Sequence, residues 1–265
     1  MSNIQKGIKL FAICLAVFII SSIISGILFV LSIITNTSHF SSEFYFQQTF
    51  YNIKNIDVDL STTKLEIKKG AEFKIDGNTT NPTFKMESNE DTLKIFESPK
   101  KIMNNNKTGK VTLYVLENYP LDSLYINNEA GSVKLSSISS NSFSLSQGIG
   151  ITKINDSNLK NANINGSVGK IDIKNSLLNN LHLESGIGEV FIQSDITGNS
   201  YIKSGIGKVV LNLKDENDYT INVTKGIGMI SINNINQSNN KVYGSGLNNL
   251  NIEGGIGKID IKFNN

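Results

Sequence analysis

The chain has 265 residues, 39% of them hydrophobic, and carries a formal net charge of +2. That length and apolar content allow one large domain or two small ones with a true core. The near-neutral charge argues against a general attraction to nucleic acid, so we expect no nucleic-acid partner. One cysteine cannot form an internal disulfide or a zinc cage, and two histidines make no cluster of ligands. We therefore expect no metal and no cofactor.

Residues 8–35 are almost entirely apolar, and Lys9 is their single charged residue. A helix of about 20 apolar residues spans a bilayer, whereas the apolar core of a cleaved signal peptide is shorter. The stretch therefore predicts a transmembrane helix. Lys6 and Lys9 lie at its start and no lysine closely follows it, which predicts a cytoplasmic segment at residues 1–7 and an extracytoplasmic polar tether at residues 36–50. We expect a single-pass protein of a bacterial cytoplasmic membrane, with its N-terminus inside and its C-terminal domain outside.

A glycine recurs at a fixed period in the second half of the chain. The first five of these glycines are evenly spaced, about 19 residues apart, and the two later intervals are longer. A period of about 20 residues is typical of a solenoid, in which each repeat stacks on its neighbour. We therefore predict a glycine-motif solenoid over residues 126–265. The repeat glycines are Gly131, Gly150, Gly169, Gly188, Gly207, Gly228 and Gly257.

The residues around each glycine alternate between apolar and polar. Positions two and four after it are mostly apolar, as Ile171 and Ile173 are around Asp172, which predicts a strand with one buried face. A second apolar column, which includes Leu183, lies five residues before the glycine. In most repeats a branched aliphatic residue directly precedes the glycine, and we expect it to point into the core at a bend where glycine supplies unusual backbone angles. These residues are Ile149, Val168, Ile187, Ile206, Ile227 and Ile256.

Together these columns predict an all-β fold: a single-stranded parallel β-solenoid, or β-helix, with coils of about 19 residues, preceded by the transmembrane helix. The repeat is too short for a helical crossover between parallel strands. Each strand is expected to pair with its counterpart one repeat later, about 4.8 Å away. Asn161, Asn180 and Asn199 also recur at this period, and we expect them to hydrogen-bond along the stack.

Residues 51–125 lack the glycine motif, but they contain short strand-like segments separated by turn signals. We expect them either to begin the same solenoid or to cap its first coil, because a bare end coil exposes unpaired strand edges. The polar insertion at residues 236–249 is expected to be either a loop or part of a cap at the far end.

Four apolar residues fall at outward positions of the predicted strands. Phe191 and Val210 are one repeat apart and should stack on the solvent side, with Ile151 near one end of the stack and Met229 near the other. An exposed apolar stripe can mark a partner surface. Cover by the flanking chain would explain the same pattern, so both interpretations stay open at this stage.

No catalytic motif emerges from the residues. None of the Gly-Lys pairs is accompanied by the glycine and the Ser or Thr that a phosphate-binding loop needs. His182 lies between two inward leucines and has no nucleophile motif beside it. Parallel β-helices can host carbohydrate-active enzymes, which need paired carboxylates, but the acidic residues near the polar corners form no obvious pair. These residues are Asp156, Asp195, Asp215 and Glu216.

The pattern GxGxIxI, the lead-in VTLYVLENYPLDSLYINNEAGSVKL at residues 111–135 and the single N-terminal span together resemble one known family. This is the bacterial β-strand-repeat putative adhesin family, a domain of unknown function related to the head GIN domain and to LiaG-like proteins. The resemblance covers roughly residues 50–265. It implies a membrane-tethered extracytoplasmic β-solenoid, and some members of the family accompany cell-envelope stress systems. The resemblance carries over no catalytic residue.

The leading hypothesis is a non-enzymatic, membrane-anchored, adhesin-like or scaffold module of the bacterial cell envelope. It would bind an envelope protein, a cell-wall polymer or another copy of itself through the flat faces of the solenoid. An accessory role in envelope-stress signalling is the alternative, and it predicts expression that rises with envelope damage. A carbohydrate-active β-helix enzyme is the remaining alternative, and it requires a cleft with two carboxylates within about 10 Å.

Overall fold

Long strands that bend at a glycine make up most of the fold. A computed structural model describes residues 43–98 and 108–264, and these residues belong to one compact unit. The predicted transmembrane helix at residues 8–35 lies outside the described residues. Within the two ranges described, no helix is long and apolar enough to cross a membrane.

Seventeen strands, all in one sheet, form within the described ranges. In chain order they are β1 (Phe44–Phe50), β2 (Asn55–Leu60), β3 (Lys64–Gly70), β4 (Phe73–Thr79), β5 (Lys85–Asn89), β6 (Thr92–Phe96), β7 (Lys110–Leu116), β8 (Leu121–Ser136), β9 (Ser139–Asn155), β10 (Asn158–Lys160), β11 (Ala162–Asn179), β12 (His182–Thr197), β13 (Asn199–Leu213), β14 (Tyr219–Ile232), β15 (Ile235–Asn236), β16 (Lys241–Tyr243) and β17 (Asn248–Phe263). A short 3-10 turn, Glu216–Asp218, lies between β13 and β14. The all-β prediction is confirmed for this part of the chain.

The central coils stack as the repeat predicts. β8, β9, β11, β12 and β13 lie side by side in parallel, and each repeat glycine pairs with the glycine of the next coil. Ile173, Ile192 and Leu211 are direct neighbours in this register and are fully buried. The columns two and four positions after the glycine, and five before it, face the interior throughout. The parallel stack of coils is therefore confirmed.

The last two coils lie in the reverse of their chain order. β17 inserts between β13 and β14, so that Gly257 pairs with Gly207 on one side and with Gly228 on the other. The expectation that each strand pairs with its counterpart one repeat later is therefore wrong at this end. The reason lies in β14, which pairs with the antiparallel strands β15 and β16 and so serves as the terminal strand of the stack. The insertion at residues 236–249 supplies β16 and forms part of the far cap.

The N-terminal strands both extend and cap the solenoid. β2 and β3 form a coil that pairs in parallel with β8, and β6 and β7 form a further coil on β2 and β3. β5 pairs with β6, β4 with β7 and β1 with β4, all antiparallel. Residues 51–125 therefore hold two coils and most of a cap. β1 takes up residues that we expected in the tether, because its pairing with β4 buries Phe50 in the core.

A buried carboxylate closes the first corner of the solenoid. The turn from β2 to β3 lies over the first glycine corner, where the Ala130 N–H donates to Ser61 O at 2.8 Å. On the other side of this turn, Glu97 Oε1 accepts the three backbone N–H groups of residues 61–63 at 2.9–3.1 Å. Glu97 is almost fully buried. Its carboxylate thus satisfies donors that would otherwise be left without partners.

An asparagine ladder runs along another corner, as predicted. Asn180 Nδ2 donates to Asn161 Oδ1 at 3.3 Å, and the Asn199 N–H donates to Asn180 Oδ1 at 3.2 Å. Asn249 Nδ2 extends the ladder to Asn199 Oδ1 at 2.9 Å, which agrees with the place of β17 beside β13. Asn161 and Asn180 have φ angles of 44° and 51°, a region that asparagine tolerates better than most residues.

Candidate interaction surface

The glycine corner is built from backbone that leaves no room for a side chain. The repeat glycines have φ angles between 129° and 151°, which residues with a Cβ rarely adopt. A Cβ on Gly188 would overlap the carbonyl oxygen of Gly169 in the preceding coil, and Gly186 is crowded by backbone in the same way. Gly131 begins the column and is less crowded, because the nearest atom to a Cβ there would be 3.4 Å away. Backbone stacking therefore requires the glycines.

The aliphatic residue between the two glycines points out of the solenoid. These side chains are 43–70% exposed, so the expectation that they enter the core at the bend is wrong. Ser185 and Ser204, three residues before the repeat glycine, are buried and occupy the inner side of the corner, which leaves the aliphatic residue on the convex side. The exposed side chains form one column, here called the aliphatic ridge. In spatial order the ridge consists of Ile149, Val168, Ile187, Ile206, Ile256 and Ile227.

Bare backbone borders the aliphatic ridge on both sides. The repeat glycines form one border. On the other side, glycine precedes the aliphatic residue in five of the six coils, and Ser167 takes that place before Val168. Parallel strands about 4.8 Å apart put one branched side chain at each step, so the ridge is about 24 Å long. A continuous apolar ridge with a shallow groove on each side is the result.

A column of charged and apolar residues runs beside the ridge, one position after the repeat glycines. We call it the flanking column. Lys170 Nζ lies 3.0 Å from Glu189 Oε2, so its charges are partly paired within the column. Ile151 and Met229, at its two ends, are about half exposed. In spatial order the flanking column consists of Ile151, Lys170, Glu189, Lys208, Lys258 and Met229.

The predicted partner patch divides between two columns. Ile151 and Met229 lie at opposite ends of the flanking column. Phe191 and Val210 are neighbours, as expected, but they lie two positions further along their strands. Val210 is only 8% exposed, and the Lys174 ammonium lies 5.4 Å from the ring centre of half-buried Phe191. The four residues therefore do not share one exposed column, and the aliphatic ridge is the more accessible apolar surface.

A polar groove of about 640 Å³ runs along a second corner of the stack. Three carboxylates line it. Glu117 pairs with Lys69 at 2.8 Å and Asp195 pairs with Lys214 at 2.5 Å, while Asp156 is exposed. Two of the three carboxylates are thus held in ion pairs. A glycosidase instead needs one carboxylic acid and one carboxylate facing the same bond.

The other acidic candidates, Asp215 and Glu216, belong to the short 3-10 turn and its cap. Asp215 Oδ1 accepts the backbone N–H of Asn217 at 2.9 Å, which is a capping role. Neither residue lines the polar groove. Among residues 43–98 and 108–264, no three His, Cys, Asp or Glu side chains are grouped so that they could hold a metal ion.

His182 points outward, as predicted, and belongs to a small cluster on a third part of the surface. Its ring stacks on Tyr201 with centres 5.2 Å apart, and its Nε2 lies 3.2 Å from Glu184 Oε1. The Tyr201 hydroxyl donates to Glu253 Oε2 at 2.8 Å. Burial, and then this hydrogen bond, raises the pKa of Tyr201 to about 12. The cluster therefore links β13 to β17 and contains no nucleophile beside the histidine.

Residues 47–249 match the Toastrack DUF4097 family. The chain belongs to this family. The matched range takes in the N-terminal coils as well as most of the glycine repeats, so the Toastrack assignment covers both parts of the solenoid. No curated protein matches the chain.

Three solved structures are similar to this Toastrack chain at low identity. A "putative cell adhesion protein" from Clostridium sporogenes is 18% identical, with 84% of this chain and 100% of that chain covered and a TM-score of 0.39. A "putative adhesin" from Parabacteroides merdae is 14% identical, with 84% and 97% covered and a TM-score of 0.40. A "putative adhesin" from Bacteroides fragilis is 14% identical, with 84% and 98% covered and a TM-score of 0.36.

Proposed function

We propose that this Toastrack protein is a non-enzymatic, adhesin-like binding module of the bacterial cell envelope. The aliphatic ridge is the observation that carries the proposal. Its six side chains together expose on the order of 600 Å² of apolar surface, which reaches the upper end of the largest patch on a typical monomer. Patches of that size commonly mark interaction sites. A rigid ladder of backbone hydrogen bonds beneath the ridge holds it in a fixed shape.

The ridge would act on the outer side of the cytoplasmic membrane. Support comes from the apolar stretch at residues 8–35 and from Lys6 and Lys9 at its start, which favour a cytoplasmic N-terminus. The solenoid would then stand in the envelope space, where an adhesive surface has access to partners. The ion-paired carboxylates of the polar groove favour binding over glycoside hydrolysis.

Attachment assays on cells that express the full chain test the proposal. We expect cells with the wild-type chain to aggregate or attach more than cells without it. The double variant Ile187→Lys with Ile206→Lys should lose this gain, because two charges interrupt the ridge. Tyr125→Lys is the matched control, since Tyr125 is also a large exposed apolar residue but lies off the ridge. Equal attachment by the ridge variant and the wild type would contradict the proposal.

Two further measurements check the parts of the proposal that concern location and catalysis. Protease added to spheroplasts should digest the solenoid, and digestion only after the cells are broken would place it on the wrong side of the membrane. Membranes that contain the chain should release no soluble sugar from purified peptidoglycan beyond the amount released by control membranes. A release that depends on Asp156 would support an enzyme instead.

A further inference from the structure

The aliphatic ridge has the size of half a protein interface. Covering its six side chains together with Ile151 and Met229 would remove on the order of 800 Å² from water, which is close to the share of each partner in a standard interface. A small ligand could not cover a surface about 24 Å long. A partner that covers the whole ridge is therefore a macromolecule, and this step rests on the proposed binding role of the ridge.

The shape of the ridge fits a second copy of the same chain. Branched side chains stand at every strand step, and the glycines leave a groove on each side of them. Two such surfaces can interdigitate, because identical side chains at identical spacing stay in register along the whole contact. A partner with a different spacing would lose register within a few strands. We infer that the ridge is the interface of a homodimer.

The flanking column selects an antiparallel arrangement of the two copies. If the two-fold axis passes between Ile187 and Ile206, Ile151 of each copy meets Met229 of the other. The same axis brings Glu189 against Lys208. Apolar ends thus meet apolar ends, and opposite charges meet at the centre.

The less favourable contacts of this arrangement are already compensated within each chain. Lys170 would face Lys258 of the other copy. However, Lys170 pairs with Glu189 at 3.0 Å, and Lys258 Nζ lies 3.1 Å from Asp260 Oδ2. Each lysine therefore brings its own counter-ion to the interface, which reduces the repulsion between them.

A parallel arrangement brings like charges together. With the two-fold axis along the ridge, each flanking column would face the outward residues that lie four positions before the repeat glycines. Glu189 would then lie beside Glu184 of the other copy, and Lys208 beside Lys203. Only Lys258 would meet an opposite charge, that of Glu253. Like charges in direct opposition disfavour such a complex. The antiparallel dimer is therefore the favoured arrangement.

Thiol crosslinking of the full chain in its membrane tests the dimer and its direction. All variants carry Cys14→Ser, so that the introduced cysteine is the only one. One tagged chain carries Ile149→Cys and a second, differently tagged chain carries Ile227→Cys. A bis-maleimide with a reach of about 10 Å matches the spacing of packed sheets. We expect the co-expressed pair to give at least about tenfold more crosslinked dimer than either chain alone, because like ends would lie about 24 Å apart.

The remaining arms of this experiment separate the alternatives. Ile149→Cys chains that crosslink only to themselves would indicate a parallel dimer, and chains that crosslink equally to themselves and to Ile227→Cys would indicate a disordered contact. Either result would overturn the inference. Chains with Tyr125→Cys, off the ridge, should give only background dimer. Ridge thiols that are shielded from a simple maleimide and yet give no dimer would show that something else covers the ridge, and would overturn the inference too.

The crosslinking result and the attachment result can fail separately. If the ridge cysteines do not crosslink but Ile187→Lys with Ile206→Lys still abolishes attachment, the ridge binds another partner and only the dimer is wrong. If the pair crosslinks as expected but the lysine variant attaches normally, the dimer stands and the proposed adhesive role is wrong.

Discussion

The middle of the solenoid and its two ends follow different rules. From β8 to β13 the coils stack in chain order, and a glycine column sets their register. At both ends the chain departs from that order: β17 lies between β13 and β14, and the coil of β6 and β7 lies on the far side of β2 and β3. Antiparallel strands then cover the outermost edges. The repeat therefore sets the register, while non-repetitive segments decide where stacking stops, which protects the sheet from adding further strands.

Alanine in the glycine column gives the largest expected effect. Gly188→Ala should cost more than about 4 kcal/mol of unfolding free energy, because its Cβ would overlap the carbonyl oxygen of Gly169 and neither backbone can move away. Gly131→Ala should cost only about 1–3 kcal/mol, since backbone strain remains but the nearest atom, at 3.4 Å, would make an ordinary van der Waals contact with the new Cβ. Urea unfolding of the full chain in detergent, followed by circular dichroism, measures both. Equal costs would show that the column is not continuous.

Alanine substitutions at two isoleucines five residues apart compare a core position with a ridge position. Ile192→Ala should cost about 2–5 kcal/mol, because a fully buried side chain leaves a cavity. Ile187→Ala should change the unfolding free energy by less than about 0.5 kcal/mol, because the side chain is 52% exposed. The comparison is made at concentrations where the urea midpoint does not depend on protein concentration. A large loss at Ile187 would restore the inward orientation that the periodicity suggested.

Substitution of Glu97 tests how the first corner is closed, at the end of the stack where no further coil of the glycine repeat lies beside it. Glu97→Gln keeps the shape but removes the charge that three backbone N–H groups share, and we expect a loss of about 1–3 kcal/mol. Proteolysis should accelerate within residues 43–98 and stay unchanged in the central coils. Glu87→Gln is the control, because Glu87 is exposed on β5. Uniform loosening of the whole chain would mean that the ends and the middle unfold together.

The smallest expected effect is a dependence of the stability of the N-terminal coils on pH. The hydrogen bond from Lys110, with Nζ 2.9 Å from Glu66 Oε2, holds the pKa of the Glu66 carboxyl below its ordinary value. A carboxyl whose pKa is lower in the folded state stabilises the fold above its unfolded pKa of about 4.3. This contribution is lost as the pH falls through the folded pKa.

Acid titration of the urea midpoint measures this contribution. The unfolding free energy of the wild type should fall by only a few tenths of a kcal/mol on acidification through this pair, as expected near the surface, and Glu66→Gln should abolish that fall. Glu117→Gln should leave the pH dependence of the urea midpoint unchanged, because both partners of the Lys69–Glu117 pair are more than half exposed. A larger effect at Glu117 than at Glu66 would contradict this ranking of the two pairs.

The periodicity predicted the parallel stack because inward residues such as Ile173 and Ile192 repeat at one spacing. It could not predict which way the ridge side chains point, because the inside–outside alternation of the strand before the corner conflicts with that of the strand after it. Counting by twos from Ile202 puts Ile206 inside, whereas counting back from Val209 puts it outside. In the structure the bend resolves the conflict, with Ser204 inside and Ile206 outside. The one signal in the sequence was that Ser204, a small residue, stands beside two glycines.

The coil order was hidden for a different reason. The glycine motif looks the same at every step, so the pattern around Gly228 and Gly257 fits either order. The longer intervals that precede these two glycines were the only hint that the chain leaves the regular path there. The first corner was missed because Glu97, which closes it, directly follows β6, a strand that carries no repeat motif.

The order of the last coils can be tested by one intramolecular disulfide. In a Cys14→Ser chain, Tyr201→Cys with Asn251→Cys should form a bond readily, because these residues are paired neighbours on β13 and β17 and lie within disulfide reach. Tyr201→Cys with Asn222→Cys should not, since two strand spacings of about 4.8 Å separate them. Mass spectrometry of the non-reduced peptides reads the result. A bond from position 201 to 222, with none to 251, would contradict the swapped stack.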